Sequence, residues 1–365
     1  MRTSEYVALG HPDKVADYIS EYILDRYVEK DKGTRFALEV QIKDNHVTLG
    51  GEVTSSHQFS KAELIKFVKD AVDDIGYTKE YQSFWGQNAA ICGDELDVVC
   101  YISHQSPDIS QGVNRDGWGD QGIFWGYAEN NPAHNYMPQD HAMARELSKE
   151  IFDTKIAGLD IKTQITLNDK NEVCNVIVAV PVKTKEQRAS VAELVESWLA
   201  KYPKTSACEV IVNGTGEYII HSSISDCGTT GRKLVVDFYG GNSKIGGGCP
   251  WTKDGTKADL TLNLIARQIA KANLMHNGDK VYKVKVGIAC CIGRSDVLVN
   301  IKMEGKDGAV KNFELATKLF PSKIMKDFGL DKPIFAETHK NGLFYDAGRN
   351  WEKTENLDKE FIKKF

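Results

Sequence analysis

The chain has no run of about 18 apolar residues, the length a helix needs to cross a bilayer. Its opening segment, MRTSEYVALGHPDKV, also lacks the apolar core of a secretory leader. A cytoplasmic location without a membrane partner is therefore expected. Positive charge is in deficit, with 46 Lys and Arg against 51 Asp and Glu and a formal net charge of -5. No basic cluster interleaved with aromatics occurs, which sets nucleic-acid binding aside. The eight cysteines (Cys92, Cys100, Cys174, Cys208, Cys227, Cys249, Cys290 and Cys291) show no CxxC spacing. Neither a zinc framework nor a disulfide framework is expected, and segments such as DVVCYIS and GIACCIG read as reduced core thiols. Proline is scarce, at 9, whereas 41% hydrophobic and 27% charged residues are ordinary for a folded chain. Both common nucleotide signatures, GxxxxGK[ST] and GxGxxG, are missing, so nothing supports a P-loop or dinucleotide fold.

With 365 residues, two or three domains are expected. Alternating apolar residues predict strands at 35–43 and 47–54, joined by the turn Asp44-Asn45-His46, and then a helix over 61–76. The order returns at 163–182, ahead of a helix at 187–201 and a strand at 209–213. It returns again at 282–303, followed by an apolar-periodic stretch over 312–320 that the repeat makes a helix. This repeated order predicts an α+β fold of three similar domains in pseudo-threefold arrangement, each a sheet of hairpins covered on one face by helices. Boundaries are expected at 1–105, 106–223 and 224–365, the second domain beginning with a lid-like loop at 106–119.

Three stretches carry chemistry. In GHPDKVADYISEYILD, Pro12 suits the first turn of a helix whose apolar face is Val15, Ile19, Tyr22 and Ile23. His11 then stands at the helix mouth, with Asp13 and Lys14 in the first turn, where free N–H groups and the helix dipole attract anions. Plain capping is the alternative. In NRDGWGDQGIFWGYA, glycines flank Asp120 and Gln121, so that the backbone approaches a ligand closely or merely turns into the core. In SDCGTTGRKLVVDFYGG, Arg232 and Lys233 open an expected strand over 233–241 beside flexible backbone, which suits a polyphosphate or a solvated strand end. Lys244, Lys253 and Lys257 extend this cationic, Gly-rich region. Thr256 and Asp259 show a capping-box pattern before the apolar helix that follows, and a carboxylate there also suits Mg²⁺ near phosphate.

Taken in order, GHPDK at 10–14, GGEVT at 50–54, QSPDISQGV at 105–113, GDQG at 119–122 followed by GYA, and DCGTTGRK at 226–233 resemble one family. YGG at 239–241, GGG at 246–248 with Lys253-Asp254 behind it, and PIFAETHKNGLF at 333–344 extend the match over nearly the whole chain. That family is S-adenosylmethionine synthetase, or methionine adenosyltransferase. The resemblance implies a transferase in which the sulfur of L-methionine attacks ribose C5′ of ATP. Tripolyphosphate is expelled and then cleaved to pyrophosphate and phosphate. It also implies Mg²⁺, two per site, and K⁺, with active sites at the interface of a dimer, or of a dimer of dimers. A thioether is already nucleophilic, so the lack of an activated Ser or Cys agrees with this chemistry, and the burden falls on the charged leaving group.

Carried over by motif, His11, Lys14, Lys162, Arg232 and Lys253 are the expected catalytic residues. ATP is expected to meet His11, Asp160, Lys162, Asp226, Arg232, Lys233, Cys249 and Lys253. Methionine is expected to meet Glu52, Gln105, Asp120, Asp226 and Lys257. Asp13 and Asp259 are the implied Mg²⁺ ligands, and Glu39 the K⁺ ligand. The chain departs from the family where Cys249-Pro250-Trp251-Thr252 replaces Ala-Phe-Ser-Gly, where a short NRDGW connection precedes GDQG, and where Leu9 replaces Glu. Two further readings are a weak paralogue that binds ATP or S-adenosylmethionine to regulate a partner, and a tripolyphosphate hydrolase. The retained charged positions oppose the first, and Glu52, Gln105 and Asp120 oppose the second.

Overall fold

The computed structural model describes residues 1–104 and 116–365. Gln105 and most of the expected lid-like loop lie outside the described residues. Among the described residues, the strands are β1 (Arg2–Val7), β2 (Arg35–Lys43), β3 (His46–Thr54), β4 (Asp97–Ser103), β5 (Gly122–Glu129) and β6 (Lys162–Leu167). They continue with β7 (Val173–Ala179), β8 (Lys204–Val212), β9 (Gly228–Thr229), β10 (Val281–Cys290), β11 (Asp296–Gly305) and β12 (Val310–Lys318). The long helices are α1 (Pro12–Lys30), α2 (Lys61–Ile75), α3 (Gln139–Thr154), α4 (Lys185–Leu199) and α5 (Ala258–Asn277).

The strands form three four-stranded sheets, ordered β4-β3-β2-β9, β1-β6-β7-β8 and β12-β11-β10-β5. Each sheet is built on a hairpin and completed by a strand from another third of the chain. β9 completes the first sheet, β1 the second and β5 the third, so the exchange is cyclic. β4 and β8 lie parallel to their neighbours β3 and β7, which follows from the helix that intervenes in each case.

The third unit differs from the expected repeat. Residues 312–318 of the stretch at 312–320 belong to β12, an antiparallel continuation of β11, and not to a helix. Its apolar residues Phe313 and Leu315 alternate with exposed polar ones, a period of two on an edge strand. The expected strand at 233–241 is instead a helical turn, Leu234–Asp237. There the Asp237 and Phe238 amides bond the carbonyls of Lys233 and Leu234, and Asp237 pairs with Lys14. This tertiary ion pair overrides the β preference of the Val pair.

In the first sheet, Phe36, Leu38, Val40 and Ile42 of β2 are buried with Val47, Leu49 and Val53 of β3. They pack beneath α1 and α2 in a core that runs on into the third unit. At roughly 1.5–3 kcal/mol for each fully buried large apolar side chain, this face decides the register. The opposite face carries Glu39, Gln41 and Glu52, with Tyr101 70% exposed. The second unit has its own core around Ile165, Val176, Val191 and Trp198. All eight cysteines are free, but only Cys92 and Cys249 are buried, so most are not core thiols. No helix among the described residues is long and apolar enough to cross a membrane.

Candidate active site

Asp13, Asp17, Glu21 and Asp25 recur every four residues along α1, which puts them on one face, and all four are buried. Each accepts backbone N–H groups from the C-terminal third. Thr229 N reaches Asp13 Oδ1 at 2.9 Å, Gly231 N reaches Asp17 Oδ1 at 2.9 Å, and Thr252 N reaches Glu21 Oε1 at 2.6 Å. The Phe335 and Ala336 amides bond Asp25 at 2.9 and 3.0 Å. One helix face thus fixes both loops that carry the cationic motifs. The approach is close enough that a Cβ on Gly228 would lie 2.1 Å from the Pro12 carbonyl oxygen, so the position demands glycine.

The first group of site residues gathers at the start of α1. His11 caps the helix, its Nδ1 accepting from Asp13 N at 3.2 Å. Burial and the nearby Lys233 ammonium lower its pKa to about 3. The ring is therefore neutral at pH 7, and with Nδ1 accepting, Nε2 carries the proton and is the donor. Lys233 is ion-paired with Asp13, and Arg232 Nε lies 3.8 Å from Asp13 Oδ1 with its side chain half exposed. Lys162, at the entry to β6, adds its charge to the field on His11. Lys14, expected at the phosphates, turns inward instead. Its ammonium is buried between Asp237 Oδ1 (2.5 Å) and Asp17 Oδ2 (3.2 Å), so it ties α1 to the chain after Lys233.

Asp160 is buried beside these residues, accepting from Ser222 N at 3.2 Å and from the Tyr218 hydroxyl. Burial pushes its pKa up to about 7, with the Asp226 charge adding to the rise. A carboxyl raised from 3.8 to about 7 holds a proton in the folded state that the unfolded chain has lost, so stability falls as pH rises through that window. Asp160→Asn is expected to abolish this fall. Relative to the parent, the variant should gain roughly 2–3 kcal/mol between pH 5 and 8 in urea titrations. A constant difference across that range would contradict the assignment.

The second group lies on the open face of the first sheet. Lys253 bridges Ala37, which stands opposite Glu52, so Lys253, Ala37 and Glu52 form one row. Lys253 Nζ is 2.5 Å from Asp259 Oδ2. Burial opposes its charge, but Asp259 outweighs burial and leaves its pKa above the ordinary value. Asp259 and Asp120 both act on Cys290, whose thiol burial pushes up to about 12 and whose Sγ lies 3.4 Å from the Asp120 carbonyl oxygen. Glu39 accepts from the hydroxyls of Thr230 and Thr252. Cys249 is buried against Gly231, and its Sγ accepts from Trp251 N at 3.4 Å. Lys257 is held by Asp254 at 2.9 Å. The capping box does not form, because Thr256 directs its hydroxyl to Asp254, 2.5 Å away, and α5 has no side-chain cap.

Among the described residues, no three His, Cys, Asp or Glu side chains converge as a metal cage. Asp13 and Asp259 each stand in the first turn of a helix beside one lysine. A single carboxylate of this kind could hold Mg²⁺ whose remaining ligands are phosphate oxygens and water. Glu39 with two threonine hydroxyls is an oxygen-only set that could hold a monovalent cation.

Three family descriptions match consecutive segments: the N-terminal domain of S-adenosylmethionine synthetase over residues 1–107, the central domain over 115–218 and the C-terminal domain over 220–353. The chain belongs to the S-adenosylmethionine synthetase family. It is 32% identical to the S-adenosylmethionine synthase of Clostridium tetani, over 98% of this chain and 97% of that one. It is 34% identical to S-adenosylmethionine synthase 2 of Rhodospirillum rubrum, over 97% and 95%. A solved structure described as an unusual S-adenosylmethionine synthetase from Campylobacter jejuni superposes with a TM-score of 0.84 at 32% identity, covering 99% of this chain and 98% of that one. An enzyme with S-adenosylmethionine synthase activity is therefore in hand, and members of the S-adenosylmethionine synthetase family generally require a divalent metal and potassium. Tyr218 and Ser222 were not singled out by sequence reasoning, and Thr252 only as the residue that replaces the family's glycine. The four-residue spacing of carboxylates in HPDKVADYISEYILD was the available signal for the α1 face.

Proposed function

We propose that the two groups of residues act together on ATP and L-methionine. The observation that carries this reading is the convergence of Lys233 and Lys162 on a neutral His11 at a helix N-terminus, with Arg232 beside the adjacent Asp13. Methionine sulfur attacks C5′, the S–C5′ bond forms as the C5′–O bond breaks, and tripolyphosphate leaves with the electron pair, after which one water cleaves a P–O bond in it to give pyrophosphate and phosphate. The His11 Nε2–H donates to the oxygen that gains charge, and Arg232, Lys233 and Lys253 hold the polyphosphate. Asp160, Asp226 and Lys162 face the nucleoside, with Tyr218 orienting Asp160. Glu52, Asp120 and Asp226 hold methionine, and Lys14 positions α1. Mg²⁺, when bound, neutralises polyphosphate charge, with Asp13 and Asp259 as its protein ligands, and Glu39 serves K⁺.

We further propose the division 1–105, 106–223 and 224–365, and a dimer in which the open face of the first sheet meets a second copy. The uncovered Tyr101 supports that face, and the site would then draw on both chains. Incubation with ATP, methionine, Mg²⁺ and K⁺, followed by separation of products, tests the reaction. S-adenosylmethionine, pyrophosphate and phosphate in equal amounts are expected. Phosphate release without a sulfonium product would instead identify a nucleotide hydrolase, and cleavage of added tripolyphosphate by a protein that forms no sulfonium product would identify a tripolyphosphate hydrolase.

A further inference from the structure

Thr252 has a φ of 70°, in the left-handed region that β-branched residues avoid. It is fully buried, and all three of its polar groups are committed. Its amide donates to Glu21 Oε1 at 2.6 Å, its carbonyl accepts from Leu38 N at 3.1 Å, and its hydroxyl donates to Glu39 Oε1 at 3.3 Å. The partners come from both layers of the first unit, Glu21 from α1 and the other two from β2. On the far side of Lys253, Asp254 is held equally: its amide donates to the Phe36 carbonyl at 3.2 Å, and its Oδ2 accepts from Phe36 N at 2.8 Å. Lys253 thus sits between two anchored residues, with its ammonium at Asp259.

We infer that Thr252 is a positioning residue, held in a strained conformation by Glu21 and Glu39 so that Lys253 presents its ammonium to the reacting phosphates in one orientation. The inference rests on the role given to Lys253 above. Strain of this kind persists only where the surroundings over-determine it, and three hydrogen bonds to two elements do so here. Where the resemblance places glycine, this chain has a residue whose hydroxyl ties the backbone to Glu39; without that tie the ammonium in this chain would wander, and small misplacements of a stabilising charge are costly in rate.

Thr252→Gly removes the hydroxyl yet accepts the observed φ without strain, so the variant is expected to fold. Amide hydrogen exchange over 252–254 is expected to quicken about tenfold. In the same variant kcat for S-adenosylmethionine formation is expected to fall about tenfold, with KM for ATP changing less than about threefold. Thr252→Ser keeps the hydroxyl and is expected to stay within about twofold of the parent in both measurements. Unchanged exchange in the glycine variant overturns the clamp. Faster exchange with unchanged kcat overturns its link to Lys253, and a serine variant as impaired as glycine overturns the part played by the hydroxyl. Exchange is measured without substrates, so failure of the role given to Lys253, seen as normal turnover in Lys253→Ala, overturns the link while exchange still decides the clamp.

Discussion

Lys253→Ala is expected to slow S-adenosylmethionine formation by about 10²- to 10³-fold, the usual loss when one preorganised charge facing a developing anion is removed. The side chain is partly exposed and its ion pair with Asp259 lies at the edge of the open face, so the fold is expected to survive. Each partner keeps only about a fifth of its surface exposed, so losing the lysine costs roughly 1–3 kcal/mol, which a domain of this size tolerates. Circular dichroism should match the parent, while kcat falls and KM for methionine moves little. Near-normal turnover in the folded variant would refute the role assigned to Lys253. The expected loss exceeds that of Thr252→Gly, because the glycine variant disorders the ammonium and the alanine variant deletes it.

Glu352→Ala is expected to have the largest effect on stability. Glu352 accepts from Arg267 Nε at 3.0 Å and from Lys271 at 3.0 Å, and neither Arg267 nor Glu352 has any exposed side-chain surface. Burial already holds the Lys271 pKa below its ordinary value, with Glu352 opposing the drop. Removing the carboxylate leaves two cations in the interior of α5, which costs about 3–5 kcal/mol. The loss should appear as a lower urea midpoint with the same slope. Arg267 also holds the Tyr127 and Asn135 carbonyls, so the damage should spread from α5 to the end of β5. A variant within about 1 kcal/mol of the parent would mean that water reaches the triad.

Much of this architecture was legible because period and burial agree. The hairpin of β2 and β3 alternates apolar and polar residues, and the structure buries its apolar row as read. At α1, Pro12 marks the start of the helix found. The stretch at 312–320 was misread because the repeat outweighed its two-residue period, and Leu234–Asp237 because the Val pair hid an ion pair 223 residues away in sequence. The site was legible in its charges but not in their partners. Nothing local says that Lys14 faces Asp237, or that Glu21 and Leu38 hold the backbone of Thr252. Those facts arise from contacts between distant segments.

The cyclic exchange of strands also sets an order of events during synthesis. β1 is made before β6, its only sheet partner among the described residues, which begins at Lys162, so the segment that leads into His11 must wait while the chain between them is made. β2 in turn gains β9 only after residue 229 has emerged. Among the described residues, no third of the molecule completes its sheet from its own strands. A nascent chain halted between these points therefore exposes unpaired strand edges, and the completed protein shuts all three sheets only once its last third is available.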